Sequence, residues 1–449
     1  MKSNTLKILI ILFPLFGFGR LVNAQTILEN YVQEGLKNNL ALKQENLEIE
    51  KAVENINQAR ALFYPRVTFA PTYSLAAGGR KLEFPIGDLL NPVYSTLNQL
   101  TKTNSFPQVE NVSQQLAPNN FHDTKLTIQY ALYDPQIKYN YLIQKSLINV
   151  EDAKKKVIES EVRHNIETAY YQYLQSLEAE KIFKSSRVVL QELSKLNQKL
   201  VANNVLTKDV IYASEYEIAK LDQQAVGMAK NRQTAQAYFN FLLNRELTTN
   251  IVVDTMAVKN PIIPQTLNAL SGSNRPELLQ LSRSIEVSKQ LVEMNEVVAK
   301  KPSIFVGGNT GFQGYGYTFN KQGYAILQLG LNWDLFKGYE KKSKIQQAKI
   351  QTDILKSKLQ EVENQIEMQI AQAYFDLDAA QKNLALSNAG IIKAEQYFKV
   401  IDSQYKNGQK LLIEFLKAEN DFTTAQLQQS LARYDVLVKQ SVLDKVMAK

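Results

Sequence analysis

The chain has no cysteine, which excludes a disulfide framework, a thiolate nucleophile and a lipid-anchored N-terminal cysteine. Histidine is nearly absent too. His122 falls in a strand-like region and His164 in a helical one, so they read as surface residues and not as a catalytic or zinc pair. Aspartate and glutamate are scattered over helical faces at spacings that suit solvation and ion pairs. The glycine-rich GGNTGFQGYGY (307–317) belongs to a strand and hairpin tip, and no helix follows it as a phosphate-binding loop requires. Neither an enzyme, a cofactor nor a metal site is indicated. Beyond the first 24 residues, no apolar run reaches the ~18 residues of a membrane helix. The formal charge is +8 over 449 residues, and loses three positive residues if the start is removed. The remainder is too diffuse to argue for nucleic acid.

The start itself is distinctive. Lys2 and Lys7 flank the beginning of an apolar stretch at Ile8–Phe18, and Val22-Asn23-Ala24 places small residues where a signal peptidase cuts. Residues 1–24 are expected to be a secretory signal with Gln25 as the mature N-terminus. An uncleaved N-terminal anchor is the alternative.

The remainder reads as one design used twice. A first unit (25–247) and a second (274–449) flank a linker at 248–273 that carries Pro261, Pro264 and Gly272. Residues 40–62 are answered by 276–299, and Tyr64-Pro65-Arg66 by Lys301-Pro302-Ser303, each proline ending a helix and starting an extended run. YALYDP (130–135) is answered by WDLFKG (333–338), AYYQYL (169–174) by AYFDLD (373–378), and DVIYASE (209–215) by EFLKAEN (414–420).

Each unit carries a hairpin, 66–75 with 122–133 and 303–313 with 324–336. Side chains alternate with period two. Ala325, Leu327, Leu329, Leu331, Trp333 and Leu335 share one face, against Ile326, Gln328, Gly330, Asn332, Asp334 and Phe336. Leu126, Ile128, Tyr130 and Leu132 repeat the pattern, as do Val67, Phe69, Tyr73 and Leu75. Runs of ~10 residues with an aromatic near one end (Tyr133, Trp333) have the length of a tilted transmembrane strand. Alternation fits a half-buried sheet of a soluble sandwich equally well, and Pro71 argues against a smoothly paired strand.

The helices favour the first reading. One pattern runs from Pro135 to Asn203 and another from Gly338 to Gly408, each about 100 Å long at ~1.5 Å per residue. In the second, Ile366, Ile370, Ala373, Leu377, Ala380, Leu384, Ser387, Ile391, Ala394, Phe398, Ile401 and Tyr405 alternate steps of four and three, a coiled-coil seam. The first is less regular: Val162, Ile166, Ala169 and Tyr173 precede a phase shift to Val189, Leu193, Leu196 and Leu200. Four strands in lipid cannot close a barrel, so such a chain has to share its strands with other copies.

In the order and spacing of these features the chain resembles the TolC-like outer-membrane efflux proteins. The match includes the turn YKNGQKLLIEFLKAEN (405–420) and spans essentially the whole mature chain. The resemblance implies a fold of α-helices plus a membrane β-barrel. Long antiparallel coiled-coil helices would accompany four transmembrane strands per subunit, and a homotrimer would build a twelve-stranded barrel on an α-helical tunnel. It implies a Gram-negative outer-membrane location with a long periplasmic extension. It also implies a passive exit duct that reaches an inner-membrane pump through a periplasmic adaptor, leaving the cargo open.

At the tunnel tip, the resemblance implies a gate of Asp209, Tyr405, Lys410 and Glu414. Asp209 would latch onto the Tyr405 hydroxyl or Lys410. Lys417 stands where the family has its second acidic group, a departure that puts a cation-binding ring in doubt. Asn204 and Gly408 mark the tip turns and the adaptor-docking region. Leu327, Leu329, Leu331 and Trp333 would face lipid. A secreted or surface-attached coiled-coil scaffold is the rival reading. The long segment 76–121, between the first two strands, is expected outside the cell as a lid over the exit, or disordered.

Overall fold

In the computed structural model, residues 27–253, 270–319 and 322–448 are described. The expected signal (1–24) and the linker prolines Pro261 and Pro264 lie outside them. The described chain divides into two compact units, each drawing on both halves of the sequence.

One unit comprises residues 45–156 and 276–365. Its sheet is antiparallel in the order β1-β4-β5-β6, built from Arg66–Ser74, Phe121–Tyr133, Ser303–Tyr315 and Gly323–Asn332. Register turns the period-two pattern into rows that cross the sheet. Val67, Ile128, Gly308 and Leu327 form one row, and the adjacent row, on the opposite face, is Thr68, Thr127, Asn309 and Ile326. One face is therefore largely apolar, with Thr310 and Thr124 among its members, while the other carries Thr68, Thr127, Gln129, Asn309 and Gln328 with Ile326 among them. Pro71 is paired after all, opposite Thr124. It sits in an edge strand, where a missing N–H does not break a central ladder. The last strand ends at Asn332, so Trp333 and Leu335 lie just past it and do not continue the apolar face as strand residues.

Several glycines admit neighbours that a side chain would displace. A Cβ on Gly330 would stand 2.2 Å from the Phe305 ring, which takes that space. On Gly311 it would stand 2.2 Å from the Thr124 carbonyl oxygen and 2.7 Å from the Lys125 Cα.

The segment between β1 and β4 is folded. A short hairpin, β2 (Lys81–Phe84) with β3 (Val112–Gln115), frames helix α3 (Ile86–Thr101). Asparagine side chains bind the returning chain to that helix. Asn91 accepts from the Val109 N–H at 2.8 Å and donates to its carbonyl at 2.9 Å. Asn98 does the same with Phe106, at 3.0 and 2.7 Å. His122 is fully buried, contrary to the surface position expected of it. Its ring packs 4.9 Å from that of Tyr317 and 5.3 Å from that of Phe319.

The other unit comprises residues up to 44, 157–275 and 366–449. It holds α1 (Ile27–Asn38), α5 (Asp209–Leu242), α8 (Leu412–Val446) and the later parts of α4 (Pro135–Ala202) and α7 (Glu340–Lys406). These last two have 68 and 67 residues, roughly six times the ordinary helix length. Along the α7 seam, Ile366, Ile370, Ala373, Leu377 and Ala380 are buried, Leu384 to Phe398 half-buried, and Ile401 and Tyr405 buried again. Two apolar clusters result. Phe239 meets Tyr31 edge-on at 5.1 Å amid Val32, Ile166 and Leu243. The second gathers Phe183, Leu193, Leu221, Ile401 and Phe415.

Gly311→Val is expected to block the β4–β5 ladder, since backbone cannot yield as a flexible side chain can. Folded yield and thermal midpoint should fall sharply, whereas Gly227→Ala, in helix α5 with open space around it and no positive φ, should leave both nearly unchanged.

Candidate functional site at the helix turns and the sheet

Two helix turns concentrate the polar groups. Helix α4 ends with Asn204 in the left-handed backbone region (φ 58°), and α7 ends with Gly408 there (φ 72°). The hydrogen bonds match. The Asn204 N–H donates to the Val201 carbonyl at 2.9 Å and Val205 to Leu200 at 2.9 Å. Gly408 donates to Tyr405 at 3.0 Å and Gln409 to Gln404 at 2.8 Å. This closure satisfies the last helix carbonyls and needs a residue that tolerates positive φ, which asparagine does.

Across these turns one chain of polar contacts is buried. The Tyr405 hydroxyl donates to Asn197 Oδ1 at 2.6 Å, and Asn197 Nδ2 donates to the Ser214 hydroxyl at 2.8 Å. Asn197 and Ser214 are wholly buried, so α4, α5 and α7 are tied by one chain of hydrogen bonds. Burial pushes the Tyr405 hydroxyl above the ordinary phenol range. At the start of α8, Glu414 accepts from Lys410 Nζ at 2.6 Å and from the Leu411 N–H at 3.1 Å. These bonds, that to Lys410 first, hold the Glu414 carboxyl below its usual value.

On the sheet, Leu327, Leu329 and Leu331 are 83%, 73% and 61% exposed. A run of three leucines so exposed on one face is a surface built to meet an apolar medium or partner. Among the described residues, neither β1 nor β6 has a partner on its outer edge.

Residues 271–449 match the family described as outer membrane efflux protein. Over 98% of this chain and 85% of the relative, the sequence is 19% identical to the outer membrane protein TolC of Salmonella enteritidis. The outer membrane efflux protein BepC of Brucella suis is 26% identical over 114 residues, a quarter of each protein. The open state of the MtrE outer membrane channel of Neisseria gonorrhoeae superposes with a TM-score of 0.72 over 94% of this chain and 88% of that one, at 13% identity. The chain is thus similar to the TolC-like outer-membrane efflux proteins. It shares the fold of the solved outer-membrane channels, and the coiled-coil scaffold reading finds no support.

Within one copy of this chain the expected gate is not assembled as the resemblance implied. Asp209 accepts from the Thr207 hydroxyl beside it, Tyr405 is taken by Asn197 and Lys410 by Glu414. No Asp209 contact to Tyr405 or Lys410 is present among the described residues. Lys417 is exposed on α8. Asn197 went unnoticed in the sequence. Its signal was an amide set between Leu193, Leu196 and Leu200 on an otherwise apolar seam.

Removing the Tyr405 hydroxyl with Tyr405→Phe should cost about 1 kcal/mol, read as a lower urea midpoint for loss of helical circular dichroism. Glu414 has a depressed pKa, so its contribution is complete at neutral pH and fades as pH falls through the carboxylate range. Acid should therefore loosen this turn, raising amide exchange at 409–415. Glu414→Gln should show that exchange already at pH 7.

Proposed function

We propose that this protein forms the exit duct of a tripartite efflux or export system, a passive conduit assembled from three copies. The observation that supports the reading most is the four-stranded sheet with one apolar face and two open edges. Unpaired backbone groups in hydrocarbon cost several kcal/mol each, and about eight strands are needed to close a barrel. Joining β1 of one copy to β6 of the next removes both edges, and three copies make twelve strands.

In this assembly Leu327, Leu329 and Leu331 face lipid, and Trp333, just past the strand, takes the interfacial position favoured by tryptophan. The opposite rows line water. Helices α4, α5, α7 and α8 form the periplasmic wall, and the turns at Asn204 and Gly408 receive a periplasmic adaptor that leads to an inner-membrane pump. The folded segment 76–121 lies outside the cell. Residues 1–24 direct export, and 25–247 and 274–449 are the two copies of the duplicated unit.

The gate rests on the Asn197–Tyr405 tie within a copy and on Asp209 between copies, reaching Lys410 of its neighbour. A hydrated contact of that kind is worth ~1 kcal/mol or less, weak enough for a docking partner to open. Asp209→Ala is expected to raise single-channel conductance in planar bilayers; unchanged conductance removes Asp209 from the gate. Mass measurement of the detergent-solubilised protein should give three chains. A stable monomer without detergent would overturn the duct.

A further inference from the structure

Glu419 on α8 is 6% exposed, on a helix face packed against α4 and α5. Its Oε1 accepts from the Ser186 hydroxyl and, at 2.9 Å, from that of Thr423. Among the described residues no lysine or arginine pairs with it. Lys220, the cation lining the same space, is engaged by Glu217 at 3.3 Å. Two hydroxyls offset only part of the cost of burying a carboxylate, which elsewhere is met by an opposite charge or by protonation.

Beside Glu419 lies a cavity of about 320 Å³, far larger than the ~30 Å³ share of one water. Phe183, Leu221 and Met228 supply apolar walls, and Glu217 a second carboxylate. A carboxylate without a counter-ion, hydroxyls that orient it, and an adjoining apolar space are the complement of one kind of group.

We propose that this cavity binds an ammonium or guanidinium group carried on a short apolar stem, with Glu419 as its counter-ion. The stem lies along Phe183, Leu221 and Met228 while the charged head meets the carboxylate. The group comes from a free organic cation or from a basic side chain on a bound protein, and the chemistry recognised is the same. The inference stands apart from the channel reading, because it concerns three helices within one unit of one copy.

The pH dependence follows from the groups present. The lining residues that titrate are Glu217 and Lys220 on α5 and Glu419 on α8, with none on α4. Burial first, and then the charge of Glu217, raise the Glu419 carboxyl above its usual value, against the two hydroxyl bonds. Cation binding needs the ionised form and therefore weakens as pH falls through that raised value.

Calorimetry on the full detergent-solubilised protein tests this with n-butylguanidinium, n-butylammonium and neutral n-butylurea. Both cations should bind saturably at pH 7.5, n-butylurea should not, and affinity should fall on acidification. Glu419→Gln should weaken binding about tenfold or more while leaving helical circular dichroism and oligomer mass unchanged. Should that variant misfold, the acid titration and the n-butylurea comparison on unaltered protein still decide. No saturable cation binding, equal binding of n-butylurea, or equal affinity in a folded Glu419→Gln protein would overturn the site. A helical peptide with one exposed arginine separates the sources: tighter binding than n-butylguanidinium assigns a protein side chain, equal or weaker binding a free cation. Single-channel conductance is measured separately, so failure of this site leaves the duct standing.

Discussion

A backbone N–H or C=O facing hydrocarbon has nothing to bond with, and that single constraint organises this protein. The sheet satisfies its interior strands by antiparallel pairing and leaves two strands, β1 and β6, with an outward row still to satisfy. Its apolar face cannot rest in water at low cost either, since three leucines stand there more than half exposed. The proposed assembly meets both deficits together, by joining copies edge to edge in a membrane. One copy thus leaves two rows of sheet hydrogen-bonding groups unpaired among the described residues, before any question of transport arises.

The helical unit solves a different problem, the alignment of very long helices. Its seam mixes large residues with Ala373, Ala380 and Ala394, which let neighbouring helices approach closely. Buried polar groups then fix register: Asn197 bonds only where Tyr405 and Ser214 meet it. A slip of one residue along the seam would strand an amide in an apolar core, at a cost of 1–3 kcal/mol. The matching left-handed closures at Asn204 and Gly408 end two helices in the same way.

Much of this was legible in the sequence because membrane strands and coiled-coil seams impose strict periods. Alternation at Leu327, Leu329 and Leu331 announced a one-sided sheet, and Pro135 and Gly408 bounded the helices to within a few residues. Pro71 misled because the chain does not say which strand is an edge. Helix α3 escaped notice although Ile86, Leu89, Leu90, Val93, Leu97 and Leu100 keep a helical period, because Pro92 interrupts it and a polar stretch follows. The latch expected at Asp209 was drawn from resemblance, whereas the tie seen at Tyr405 depends on the register of three helices, which composition cannot report. His122 was misplaced for a similar reason: its burial comes from Tyr317 and Phe319, brought to it by the return of a later hairpin.

The middle of the α7 seam, Leu384 to Phe398, is only half-buried, while both flanks are closed. A zipper fastened at its ends and ajar between them stores its remaining contact area for a neighbour. Deuterium uptake along α7 should then be uneven in a lone copy and become uniform only in the finished assembly, making that central stretch a natural reporter of completion.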